Sequence, residues 1–415
     1  MVDLSKRKYL KASILAGALM AVGGGAYFLG SHNYSNIQSN TNAEQYPTSK
    51  ASYIIMPENG VYKAYNTLTH SPEYSSGDAG LVIQYAINKL SSSSGGDIVL
   101  KSGKYNVAST IVLKSRVNLI GENGAVLAIN TGGDGIVISE NSSFVEVRGI
   151  TIYGQGPVVP GALIRVKRHA YRVTLTNIEA YNYYDGIVIE GAYPPNDNWG
   201  IFISKVHISN SYHDGLAILG YGNTYFIRDT VIAESGNNCI TLENTADGVM
   251  AFENIHCFDS GNYSVNAYNT DGRLVQHKRF IAVNFEGLNQ HPKSVRFENC
   301  MNIALIDCEI AGMWNNGVEF INCSDSKVIG NRIINNGLGM PGNYAGVYIE
   351  NSHEIIVANS SIYDTNPPQS KTQGYGIMES GSSDYNIYLG NVLRGNSTSP
   401  YKIVGTNDVV ANNVT

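Results

Sequence analysis

Asp185-Gly-Ile-Val-Ile189 decides the fold, because the chain keeps returning to it. The same register recurs as Asp134-Gly-Ile-Val-Ile138, Asp214-Gly-Leu-Ala-Ile218, Asn238-Cys-Ile-Thr-Leu242, Asn316-Gly-Val-Glu-Phe320, Ala345-Gly-Val-Tyr-Ile349 and Tyr375-Gly-Ile-Met-Glu379. Each run opens on a turn residue, usually followed by glycine, and continues as an apolar-x-apolar strand. The anchors Ile136, Ile164, Ile187, Leu216, Ile240, Val265, Val295, Val318, Val347, Ile377 and Ile403 return about every 23 to 30 residues. A second run follows in each period, such as Ile303-Ala-Leu305, Ile355-Ile-Val357 and Ile387-Tyr-Leu389. Helical periodicity is absent from this region.

A period of that length, built of strands and turns alone, suits one coil of a solenoid. The expected fold class is all-β: a single-stranded right-handed parallel β-helix with an amphipathic capping helix at its N-terminal end. About twelve coils at a spacing of about 4.8 Å make a rod roughly 55 Å long. Strand alternation sends Ile187 and Ile189, or Val318 and Phe320, inward, and Val188 and Glu319 outward.

Turn residues also stack. Asn244, Asn299, Asn322 and Asn351 follow the first strand at one offset; Asp307, Asn331, Asn359 and Asn391 follow the second. Asparagine tolerates left-handed turns and can hydrogen-bond along a stack. In this register Cys300 and Cys323 are coil neighbours, close enough for a disulfide. The cysteines are otherwise read as small buried hydrophobes, since no metal-binding spacing occurs.

The ends of a solenoid need covers. Ahead of the first coil, Asp78 is an N-cap and Val82, Ile83, Ala86, Ile87 and Leu90 form one helical face. At the far end no cap is visible. Either the last turn is polar enough to serve, or a partner covers it, a second copy of the chain included.

Residues 1–30 begin with Lys6, Arg7, Lys8 and Lys11 and continue as an apolar stretch from Ala12 to Gly30. About 19 helical residues reach roughly 28 Å, close to one bilayer core. A signal peptide and an uncleaved membrane anchor both fit, and both export the body. Residues 31–52 read as a flexible polar spacer, and residues 53–415 as the β-helix domain. Sequons at Asn33, Asn141, Asn262, Asn322, Asn359, Asn396 and Asn413 fit an exported glycoprotein. The net charge of −6 and the lack of a basic run beyond the N-terminus argue against nucleic acid as a partner.

Gly77-Asp-Ala-Gly-Leu-Val-Ile-Gln-Tyr-Ala-Ile-Asn88, Gly95-Gly-Asp-Ile-Val-Leu-Lys-Ser-Gly-Lys-Tyr105 and Val117-Asn-Leu-Ile-Gly121 resemble the N-terminal signature of the pectate-lyase-like superfamily. Tailspike-like surface proteins are part of that family. The segment from Gly374 to Asn391 resembles its closing coils. The resemblance runs from about residue 53 to 415 and implies the fold. Its members include lyases, hydrolases, epimerases and silent adhesins, so chemistry inferred from it is analogy. The polygalacturonase branch carries Asn-Thr-Asp-Gly, Asp-Asp-Cys, Gly-His-Gly and Arg-Ile-Lys in that order. Here Asn269-Thr-Asp-Gly272 matches the first, and Asn237-Asn-Cys239 precedes it with amides for acids. The other two are missing, so that activity is not expected.

A better site is a column. Asp185 and Asp214 share one position in adjacent coils, Asn238 follows, and His213 and Tyr184 flank them. Trp199, at the end of the segment from Ala192, and Arg168, in the basic cluster Arg165, Lys167, Arg168, His169 and Arg172, complete the candidate set. Asp185, Asp214 and His213 are the candidate catalytic groups; Tyr184, Trp199, Arg168 and Asn238 are the candidate substrate contacts. Two close carboxylates raise one pKa and could share a proton or bind Ca2+; no dedicated metal-ligand set is read. A β-elimination would use His213 or Arg168 as base. Against this, Asp-Gly is a common turn pair, and the same column also holds Asn, Ala and Tyr. Two functions stay open: a polysaccharide lyase or hydrolase outside the cell, and a non-catalytic adhesin or structural envelope or virion protein.

Overall fold

The computed structural model describes residues 52–415, apart from 155, 157–159, 192–197, 246–247, 271–277 and 288. The N-terminal apolar stretch and the polar spacer up to Ala51 lie outside the described residues. Among the described residues no helix is long and apolar enough to cross a membrane.

The repeat forms a right-handed parallel β-helix of about 12 turns. One strand per coil builds a twelve-stranded parallel sheet, the front sheet; the remaining runs build a twenty-two-stranded back sheet. The anchors stack as the sequence implies, from Ile136 on Ile164 and Ile187 through Val295 on Val318 and Val347. They are fully buried, and Phe297 on Phe320 and Phe252 on Phe280 continue as stacked rings inside the rod.

The last anchor needs correcting. Ile377 pairs with Tyr401, and Ile403 falls two residues later, half-buried against the core. No further strand stacks on this one among the described residues, so Tyr401 stays 40% exposed and apolarity alone misplaces the register.

One left-handed residue per coil bends the back sheet. Asn177, Lys205, Asp229, Asn254, Asp307 and Asn359 all have φ of 50–54°. Gly330 takes the same position between Asp307 and Asn359. The expected second ladder therefore spans two adjacent columns. Asp307 and Asn359 make the bend; Asn331 and Asn391 sit one residue later, buried, and accept the backbone N–H of Cys308 and Ser360 at 2.8 and 3.0 Å. The first ladder holds, with one more member: Asn269 accepts from Asn299 at 3.2 Å and donates to Asn244 at 3.2 Å. The resemblance of Asn269 to a hydrolase motif is thus accounted for by the ladder; Asp271 and Gly272 lie outside the described residues.

All five cysteines are free and buried, so the bridge that stacking would allow between Cys300 and Cys323 is not formed in this structure. Beneath the ladder runs a column of Thr245, Thr270, Cys300, Cys323 and Ser352. Cys323 Sγ lies 3.3 Å from the carbonyls of Ile321 and Phe297, just as Ser352 Oγ binds those of Glu350 and Phe320. The thiols take the place of hydroxyls, each turned to backbone carbonyls.

Helix α1, Ala79–Ser91, covers the first coil. Asp78 Oδ1 accepts from Gly80 N at 2.9 Å, and Val82, Ile83, Ala86, Ile87 and Leu90 are buried beneath it. The far end is closed by polar atoms. Glu379 occupies an inward position on Ile349 and is 0% exposed. Its Oε2 accepts from Val404 N and Gly405 N at 2.9 and 3.1 Å, and its Oε1 from Asn386 Nδ2 at 2.8 Å and from the Tyr388 hydroxyl.

Candidate functional site

The turn from back sheet to front sheet brings Asp185, His213 and Asp214 together. Their ligating atoms all lie within 4.8 Å of one another. The strands Asp185–Glu190 and Leu216–Leu219 fix the two coils, and the Asp-Gly turn sets each carboxylate beside the next coil. Asp185 Oδ1 accepts the backbone N–H of Asp214 at 3.1 Å; Asp214 Oδ1 accepts that of Asn238 at 3.1 Å. Asn238 and Asn316 do the same for Tyr263 and Ala345. The aspartates are therefore also members of a structural ladder.

His213 sets this ladder apart. Its Nδ1 lies 2.9 Å from Asp185 Oδ1 and 3.7 Å from Asp214 Oδ2. A neutral ring so placed carries its proton on Nδ1, which leaves Nε2 as an acceptor. Nε2 faces Asn237 Nδ2 at 3.3 Å, and Tyr184 stacks on the ring with centroids 5.2 Å apart. The His213 side chain is 42% exposed, whereas those of Asp185 and Asp214 are 14% and 5% exposed. Burial pushes the Asp185 carboxyl up, opposed by the hydrogen bonds from His213 and Asp214 N. The ordered carboxylate behind Nδ1 orients the half-exposed ring, and the Asn237 amide meets its Nε2.

Asp214 is less free. Asn237 Nδ2 donates to Oδ1 at 2.8 Å, and Thr241 Oγ1 to Oδ2 at 2.7 Å. Both of its oxygens are therefore engaged by neighbouring donors. The same engagement disfavours Ca2+, which seeks six to eight oxygen ligands where this cluster offers a nitrogen and occupied carboxylates.

Trp199 and Arg168 do not join the cluster. They lie past the far end of the front-sheet strands, roughly 17 Å away by the rise of the six-residue strand Asp185–Glu190. Closeness in sequence across a turn misleads here, because the intervening strand separates them. Trp199 stacks on Tyr171 at 5.1 Å, with the Arg172 guanidinium 5.7 Å from its ring. Arg168 is exposed at the neighbouring corner. The basic cluster is largely neutralised: Arg165 binds Asp134 and Glu190 at 2.8 and 3.0 Å, and Lys167 binds Glu190 at 3.0 Å. Tyr193 to Asp197 lie outside the described residues.

The sequence reading passed over Asn237 and Thr241. A signal for both existed: each falls in the coil after Asp214, at the positions stacked on His213 and Ala217. The outward Val188 and Ala217 are buried with Ala162, and Leu219 packs against them.

No protein-family model matches the sequence, and no curated protein does. Solved structures do. The A-module of the Azotobacter vinelandii mannuronan C-5 epimerase AlgE6 superposes with a TM-score of 0.59 at 16% identity, covering 81% of this chain and 95% of that one. Dettilon tailspike protein gives 0.59 at 14%, covering 78% and 65%. PfbA, a surface adhesin of Streptococcus pneumoniae, gives 0.53 at 13%, covering 80% and 89%. At such identities the likeness establishes the fold alone, a right-handed parallel β-helix.

Proposed function

We propose that this chain engages a polysaccharide outside the cell and acts on it as a lyase, with His213 as the base. The observation that carries the reading is the Asp185–His213 pair, 2.9 Å apart, holding a half-exposed imidazole whose Nε2 meets the Asn237 amide at 3.3 Å, a contact the substrate would displace. Nε2 would take the proton α to a sugar carboxyl; a double bond would form to the β carbon as its glycosidic C–O bond breaks, the electron pair passing to the leaving oxygen, which takes a proton from water. The hydrolase alternative needs two free carboxylates, and Asp214 has both oxygens engaged. Support for export comes from residues 1–30, either cleaved or kept as an anchor. That an epimerase, a tailspike and an adhesin share the fold fits a glycan as the partner.

The second reading is a non-catalytic adhesin or envelope protein, in which the far end of the rod could meet a second copy. It is favoured by the ladder role of Asp185 and Asp214, which Asn238 and Asn316 perform without any charge.

The test is depolymerisation of acidic and neutral polysaccharides by the purified chain, followed by absorbance of the unsaturated product. Expected is cleavage that His213→Ala lowers by roughly a hundredfold or more, the usual worth of a positioned base. Binding without cleavage across the panel favours the adhesin.

A further inference from the structure

Six of the seven Asn-x-Ser/Thr sequons lie among the described residues, and folding treats their amides differently. Asn396 Nδ2 commits both protons to the backbone, donating to the carbonyls of Leu393 and Ile362 at 2.7 and 3.1 Å. Asn413 Nδ2 donates to the Tyr388 carbonyl at 3.0 Å, and its Oδ1 accepts from Asn391 N at 2.8 Å. Asn322 Nδ2 extends the first ladder, 3.1 Å from Asn299 Oδ1. Asn262 Nδ2 donates to Asn237 Oδ1 at 3.2 Å. The serines that complete these last two sequons, Ser324 and Ser264, are buried.

Asn141 and Asn359 stand apart. Both are exposed, and neither side chain makes a hydrogen bond among the described residues. Each sits at a left-handed bend, with φ of 61° and 52°. Asn359 lies between Gly330 and Gly390 in the coils on either side, so no side chain flanks it in its column. Ser143 and Ser361, which complete these two sequons, are half-exposed. Both sites also lie away from the His213 cluster. Asn141 N donates to Arg168 O at 3.2 Å, at the opposite end of the front-sheet strands. Asn359 belongs to the back sheet, five coils beyond Leu216, or about 24 Å along the rod.

We propose that the chain carries N-linked oligosaccharides on Asn141 and Asn359, and that Asn262, Asn322, Asn396 and Asn413 stay bare. This rests on the reading of residues 1–30 as an export segment, because the donor is a lipid-phosphate-linked oligosaccharide of the export membrane. In the transfer, Nδ2 forms a bond to C1 of the first sugar. The C1–O bond breaks with its electron pair passing to the phosphate, and the amide gives up one proton. The product is a bulky group that needs open surface. At Asn396 the lost proton would orphan a backbone carbonyl. At Asn413, Asn322 and Asn262 the sugar would stand against the next coil, and at Asn262 it would also cover Asn237 beside His213. At Asn141 and Asn359 it displaces nothing.

The test is peptide mass mapping of the full chain from its native cells, separated into cytoplasm, membrane and medium. Expected is a glycan mass on the peptides bearing Asn141 and Asn359 and none on those bearing the other four. Asn141→Gln and Asn359→Gln should each remove one glycan mass and leave the melting temperature of the sugar-free chain unchanged, whereas Asn396→Gln should lower it. Sugar on any of the four engaged amides overturns the assignment by free amide. A bare chain in the membrane or the medium overturns the proposal and leaves export standing. A bare chain confined to the cytoplasm overturns both.

Discussion

The two ends of the rod are closed by opposite means. At the N-terminal end α1 lays five apolar side chains, none of them ionisable, over the first coil. At the other end a buried carboxylate, Glu379, gathers two backbone N–H groups, an amide and a phenol. The first closure relies on area removed from water, the second on hydrogen bonds that must all be present. Apolar covers tolerate changes of pH; polar ones are bound to their protonation state.

Truncation of the apolar cover should have the largest effect. Ile83→Ala removes a fully buried side chain and should cost about 2–5 kcal/mol in denaturant unfolding. An unchanged midpoint would show that the helix is a bystander. Next comes Glu379→Ala, which orphans the donors it held and should cost about 1–3 kcal/mol, with Glu379→Gln recovering part. Asp78→Ala removes a helix cap and should cost about 1 kcal/mol, read by the same unfolding curve.

The smallest effect is the one that separates the two closures most clearly. The Asp408 carboxyl is pushed up to about 7, first by burial and then by Glu379 and Asp384. An unfolded aspartate has a pKa of about 3.9, so between these values the folded state binds more protons than the unfolded one. Stability from this group is complete below about pH 4 and is lost as pH rises through about 7. Asp408→Asn should flatten that decline in thermal melts, and Ile83→Ala should leave its slope alone. A wild-type profile that is level from pH 4 to 8 after correction for His titration would sink the polar-closure account.

The coil architecture was legible because each anchor pairs a turn residue with a β-branched run, as in Asp185-Gly-Ile-Val-Ile189. Helix α1 was legible from Asp78 and its apolar spacing. Register was less so wherever two residue types do one job. Gly330 fills a left-handed position as well as Asn359 does, and the second ladder slipped by one residue there. Glu379 reads as an exposed strand end, because composition cannot reveal that its carboxylate closes the rod. The Asp185–His213–Asp214 contact followed from stacking alone, whereas Trp199 and Arg168 were drawn in by closeness along the chain.

The buried thiols also provide a clock for local opening. Cys239 and Cys257 belong to one region of the rod, Cys300, Cys308 and Cys323 to the coils that follow, and each is at most 3% exposed. An alkylating reagent can reach a given thiol only while its coil is open. In a solenoid, where each coil rests on its neighbours, unzipping from one end would label these cysteines in chain order. Rupture in the middle would label them together, so mass-resolved alkylation under native conditions reads the direction in which the rod comes apart.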